Sequence, residues 1–101
     1  MSDDFRVART RYDLHEEICA TMHDTYVLKN SDYGNSFADT RHEYPEAIAI
    51  RLSDKLNRLK TLLKPGAERM VNDEAIEDTL LDIANYAVME LVERKVDEEE
   101  C

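Results

Sequence analysis

The sequence predicts an all-α protein, a bundle of three to four helices. Three stretches repeat apolar residues at three- and four-residue spacing, the period of an amphipathic helix. Only two glycines and two prolines interrupt 101 residues, too few for a turn-rich β protein. A charged fraction of 36% beside 43% hydrophobic residues is what solvated helix faces around an apolar core require.

Residues 1–9 are polar and carry no pattern, so they are expected to be a flexible N-terminal arm. From Thr10 to Lys29, Leu14, Ile18, Met22 and Tyr26 recur every four residues, with Thr10 or Asp13 as the cap. The polar side of this first helix carries His15, His23 and Asp24. Histidines on such a face are usually solvated rather than ligands.

The segment K-N-S-D-Y-G-N-S-F, from Lys29 to Phe37, is rich in turn formers and is expected to be a loop. Lys29, Asn30, Asp32, Asn35 and Ser36 supply polar groups for a phosphorylated ligand, and Tyr33 or Phe37 supplies a ring for a base. The competing reading is a plain helix terminus with two aromatic plugs, and composition favours it.

Pro45 sits at a first-turn position and opens a second helix over 46–63. Ile48, Leu52, Leu56, Leu59 and Leu63 make its apolar stripe, beside which lies R-x-x-D-K-x-x-R: Arg51, Asp54, Lys55 and Arg58. Lys64, Pro65 and Gly66 stop the helix. The short connection to an N-cap at Asn72 or Asp73 makes the next helix an antiparallel neighbour.

The third helix, Asp73 to Glu90, organises the chain. Ile76, Leu80, Ile83, Ala84, Ala87 and Leu91 share one side, while Glu74, Asp78, Asp82 and Asn85 stack on roughly the other. Like charges at i, i+4 repel by about 0.2–0.5 kcal/mol per pair, so this stack needs a cation. Either a metal ion or the basic side chains of another helix supplies it. After Glu90 the sequence passes into an acidic tail, 94–101, expected to be solvated and frayed. Residues 10–93 then form a single helical domain.

If the second and third helices pack through their apolar stripes, their polar strips border one groove. The structural reading is a seam of ion pairs, each contributing at most about 1 kcal/mol. The functional reading gives Asp78 and Asp82 to one Mg²⁺ (or Mn²⁺), with Glu74 a turn earlier for a second ion or a water. Arg51, Lys55 or Arg58 would stabilise charge on a leaving phosphate.

A net charge of −10 argues against sequence-independent binding of nucleic acid polymers, which relies on Lys and Arg. It leaves room for a small nucleotide. Cys19 and Cys101 are too few for a disulfide framework, and no apolar run suits a membrane, so a cytoplasmic protein is expected. A chain of this size buries only roughly 60–65% of its unfolded surface. It is therefore expected to form a homo-oligomer, a dimer or higher.

The motifs K-N-S-D-Y-G-N-S-F, I-R-L-S-D-K-L-N-R-L and V-N-D-E-A-I-E-D-T-L-L-D-I-A-N-Y-A, in that order, resemble the nucleotide-modification-associated domain found in many phage proteins. That family looks like a branch of the all-α, MazG-like nucleotide pyrophosphatases. The resemblance covers about residues 14–92. It implies an oligomeric helical bundle in phage (deoxy)nucleotide metabolism, cleaving ordinary or modified nucleoside triphosphates to monophosphate and pyrophosphate with Mg²⁺. Glu74, Glu77, Asp78 and Asp82 match the acidic residues of one metal-binding helix. On the second helix the Glu-x-x-Glu of the MazG pattern is replaced by Arg51, Asp54, Lys55 and Arg58, so Asp54 is the one carboxylate left to join a metal site there. Fewer carboxylates and more cations weaken metal binding. The alternative is a non-catalytic protein that binds or sequesters a nucleotide, a role suited to phage counter-defence. A helical adaptor with a purely structural seam is the third reading.

Overall fold

The computed structural model describes residues 8–33, 35–66 and 69–100. Among them are four helices and no strands: α1 (Arg11–Tyr33), α2 (Ser36–Glu43), α3 (Ala47–Leu62) and α4 (Arg69–Glu100). The all-α class follows. The chain forms two compact units, residues 1–34 and 35–101.

In the first unit, α1 begins with a reciprocal cap. The Asp13 N–H donates to Thr10 Oγ1 at 3.1 Å, and the Thr10 N–H donates to Asp13 Oδ2 at 2.9 Å. Both expected capping residues therefore act together, each satisfying a donor that the helix start leaves open. Arg9 pairs with Glu17 two turns on. Along the expected stripe, Leu14 and Ile18 are exposed while Met22 and Tyr26 are half-buried.

The loop expected over Lys29–Phe37 is mostly helix. α1 runs on through Lys29 to Tyr33, and α2 starts at Ser36. Asn, Ser and Asp have modest helix propensities that neighbouring turns override. Among the described residues of the motif, Asn35 alone lies outside a helix. The glycine of that motif, Gly34, lies outside the described residues, as do the arm over 1–7 and the side chains of Asp32 and Tyr33.

In the second unit, α2 ends where the Tyr44 N–H donates to the Thr40 carbonyl at 2.7 Å. Pro45 then lies just outside α3, whose N-cap is Glu46, one residue later than expected. Gly66 takes φ +89, the left-handed conformation that turns the chain out of α3. α4 differs most from expectation. It starts before Asn72 and Asp73 and runs to Glu100, roughly 48 Å of helix. The acidic segment after Glu93 is exposed but helical. Glu90 with Arg94 (3.0 Å) and Lys95 with Glu98 (3.5 Å) are ion pairs along its own face.

α3 and α4 run antiparallel: Arg51 lies on Tyr86 while Lys55, a turn later, meets Asp82, a turn earlier. The packed side of α4 carries Thr79, Ile83, Tyr86 and Glu90. Ile83, like the half-buried Ile76, belongs to the stripe expected to form the core, but Thr79, Tyr86 and Glu90 lie one residue step, about 100° of rotation, from the rest of it. Leu80, Ala84, Ala87 and Leu91 from that stripe are exposed. Thr79 is 2% exposed, and its Oγ1 donates to the Ala75 carbonyl at 2.7 Å. A hydroxyl satisfied within its own helix can face a neighbour at little cost, and hydrophobicity alone does not rank it as core.

Candidate functional site

α3 brings Arg51, Asp54, Lys55 and Arg58 onto one side because positions three, four and seven apart share a helical face. With Tyr86 of α4 they line a cavity of about 310 Å³. Three cations against one carboxylate make this a locally positive groove on a chain of net charge −10.

Tyr86 is its floor. Its ring centre lies 6.2 Å from that of Phe37, tilted by 38°, and the Arg51 guanidinium carbon sits 5.6 Å from the Tyr86 centroid. Phe37 thus steadies the tyrosine from α2, and the tyrosine steadies the guanidinium, within the reach of a cation–π interaction. Lys55 Nζ pairs with Asp82 Oδ2 at 3.0 Å. For Asp82, the cation that its acidic strip called for is a basic side chain from the neighbouring helix. Arg58 and Asp54 have no ion-pair partner among the described residues. Arg58 is exposed and at the groove, ready for an outside anion.

The structure therefore brings together Arg51, Asp54, Lys55 and Arg58, with Asp82 reached through Lys55. Glu74 and Asp78 lie two turns and one turn before Asp82 on α4 and are exposed, and Asn85 is half-buried outside the groove lining. Among the described residues, no three or more His, Cys, Asp or Glu stand together where they could hold a metal ion. Lys29 and Asn30 lie in the last turns of α1, and Asn35 and Ser36 lie where α2 begins. Asp32 and Tyr33 belong to α1 by backbone, and what their side chains do lies outside the described residues.

Tyr86 was not among the residues singled out as candidates. Its spacing held the signal: four residues after Asp82, it continues the polar strip by one turn. Arg41 was also missed. Its Nε donates to Glu90 Oε1 and its Nη1 to Asp97 Oδ2, each at 2.9 Å. This bridge ties α2 to two positions two turns apart on α4 and holds Phe37 against Tyr86. The bond to Glu90, and then that to Asp97, raises the Arg41 pKa, and Arg41 in turn holds the Glu90 carboxyl below its ordinary value.

No helix among the described residues is long and apolar enough to cross a membrane. A family model described as nucleotide modification associated domain 1 matches residues 29–93. That span takes in α2, α3 and most of α4. No curated protein and no solved structure matches the chain.

Proposed function

Since the chain belongs to the nucleotide modification associated domain 1 family, we propose that the α3/α4 groove binds the phosphate-bearing part of a nucleotide. The observation that carries this reading is the set Arg51, Lys55, Arg58 and Tyr86 around one cavity. Phosphate oxygens take charge-assisted bonds from guanidinium forks. Arg51 is held in place on the Tyr86 ring, so less of its freedom is lost on binding. A volume of about 310 Å³ is at the small end of ligand sites, roughly 300–1,000 Å³. It suits a phosphate group and part of a nucleoside, and the rest of the ligand stays outside the groove. The role is that of a nucleotide-binding protein, acting by recognition.

The experiment is equilibrium binding of ordinary and base-modified (d)NTPs and monophosphates to the full chain, with and without excess chelator. Binding that survives chelator, and weakens about 10- to 100-fold in Arg58→Ala, is the expected result. Loss of all binding in chelator, or no effect of Arg58→Ala, overturns it.

A second reading is favoured by the carboxylates at the groove's edge, Asp54 in its lining and Asp82 beside Lys55. It is the Mg²⁺-dependent pyrophosphohydrolysis of (d)NTPs by a MazG-like relative. Asp54, Glu74, Asp78 and Asp82 are the residues that would hold Mg²⁺ (or Mn²⁺), which when bound polarises phosphate oxygens and activates water. As arranged, these donors do not form a cage, and Lys55 occupies Asp82. Monophosphate and pyrophosphate formed with Mg²⁺ by the wild type, and lost in Asp78→Asn, would make this the better account.

A further inference from the structure

All four charged groups of the groove stand on α3, and α4 supplies its floor, Tyr86. No described residue of α2 lines it. Yet α2 holds that floor. Phe37 and Arg41 lie one turn apart on α2, and Tyr86 and Glu90 lie one turn apart on α4. They meet as two rungs: the Phe37 ring centre is 6.2 Å from that of Tyr86, and Arg41 Nε donates to Glu90 Oε1 at 2.9 Å. The rungs advance together along both helices, so α2 runs parallel to α4. Arg41 Nη1 reaches two turns further, to Asp97 Oδ2 at 2.9 Å. A helix of eight residues with none buried takes its position from such contacts. Among the groove's cations, Arg51 is seated on the Tyr86 ring, 5.6 Å from its centroid. Lys55 is instead paired with Asp82, and Arg58 has no ion-pair partner among the described residues.

We propose that Phe37 and Arg41 are positioning residues of the groove: neither lines it, and both set its affinity for phosphate through Tyr86 and Arg51. This inference rests on the phosphate reading of the groove. A guanidinium already held on a ring loses less freedom when it takes an anion. Without the Phe37 ring beside it, Tyr86 is free to tilt, and the seat of Arg51 moves with it. Without Arg41, the second rung is lost, and α2 no longer holds Phe37 in place. Arg58 takes no support from the ring, so its share of the binding is unchanged. Linkage makes the coupling reciprocal. Phosphate that holds Arg51 over Tyr86 also holds Tyr86 against Phe37, and α2 then opens less often.

Equilibrium binding of inorganic triphosphate to the full chain in excess chelator tests it, as a double-mutant cycle. Phe37→Leu is expected to weaken binding by about three- to tenfold. Placed on Arg51→Ala it causes no further loss; placed on Arg58→Ala it causes its full loss again. Arg41→Met follows the same pattern under conditions where circular dichroism shows it folded. Hydrogen exchange supplies a second readout. Triphosphate slows exchange of the Asp39 and Tyr44 amides, which bond to the Asn35 and Thr40 carbonyls, in the wild type and not in Arg51→Ala. Wild-type affinity in Phe37→Leu overturns the proposal. So does an equal loss on the Arg51→Ala background, which would mean that Phe37 acts on the fold at large. If Phe37→Leu loses its helical signal, exchange in the wild type and Arg51→Ala decides alone, and amides that triphosphate leaves unchanged overturn the coupling. A wild type that binds no triphosphate, or binding that Arg58→Ala leaves intact, removes the phosphate reading itself and this inference with it.

Discussion

Arg41 does more for the second unit than its place in a short helix suggests. Its side chain is 19% exposed and that of Glu90 is 13%, so their bond is shielded from solvent. The more exposed Asp97 and Arg94 complete the cluster. Charged hydrogen bonds in such settings contribute about 1.5–3 kcal/mol when one partner is removed. Arg41→Met is therefore expected to lower stability by about 2 kcal/mol at neutral pH, read as a urea midpoint. The pH dependence follows from Glu90, whose folded-state pKa is depressed mainly by the Arg41 bond. A depressed carboxylate stabilises the fold above its unfolded pKa, and that contribution is lost as pH falls through the lower, folded value. The gap between wild type and Arg41→Met should narrow as pH falls from neutral through the carboxylate range. A gap that stays constant would mean the arginine acts through packing of its stem and not through charge.

Among the elements, the connection from α3 to α4 is held by one backbone conformation. Gly66 has φ +89, and a Cβ built there meets nothing within 4 Å. Space is not the constraint; the left-handed region is, at about 1–2 kcal/mol for an L side chain. Gly66→Ala should cost about 1 kcal/mol in thermal or chemical unfolding, while Gly66→Asn, which tolerates that region, should cost less. Equal losses for both would show that the turn relaxes to another conformation. The same scale explains why α2 and the far end of α4 were illegible in the sequence. Each is a weak helix by itself. The segment S-F-A-D-T-R-H-E is short of the length at which isolated helices persist, and the run after Glu93 places acidic residues at the C-terminal end, where the helix dipole disfavours them. What supports both is Arg41 reaching Glu90 and Asp97 across 49 and 56 residues of chain, a contact that no local window contains.

For the molecule as a whole, assembly and stability are linked. If the chain forms the homo-oligomer expected from its size, the folded state is favoured by mass action, and the thermal midpoint rises with protein concentration. A midpoint that does not move over a hundredfold range of concentration would separate the fold's stability from association. The net charge of −10 acts the other way, because two acidic chains repel at long range until salt screens them.

The all-α class, the Thr10/Asp13 cap and the stop at Gly66 were legible in the sequence. Each is a local property, set by spacing within one or two turns or by the backbone freedom of one residue. So was the grouping of Arg51, Asp54, Lys55 and Arg58, because one helix places them on one face. Which side of α4 those residues meet was settled only by packing. Thr79, satisfied by its own helix, and Tyr86, flanked by Phe37 and Arg51, took the position that hydrophobicity assigned to Leu80 and Ala87. That rotation gave Asp82 to Lys55 and turned Leu80, Ala84, Ala87 and Leu91 of the expected core stripe outward, while Ile76 and Ile83 stayed half-buried. A helix with apolar residues around more than half its circumference has two faces fit for burial, and its period does not say which neighbour takes which.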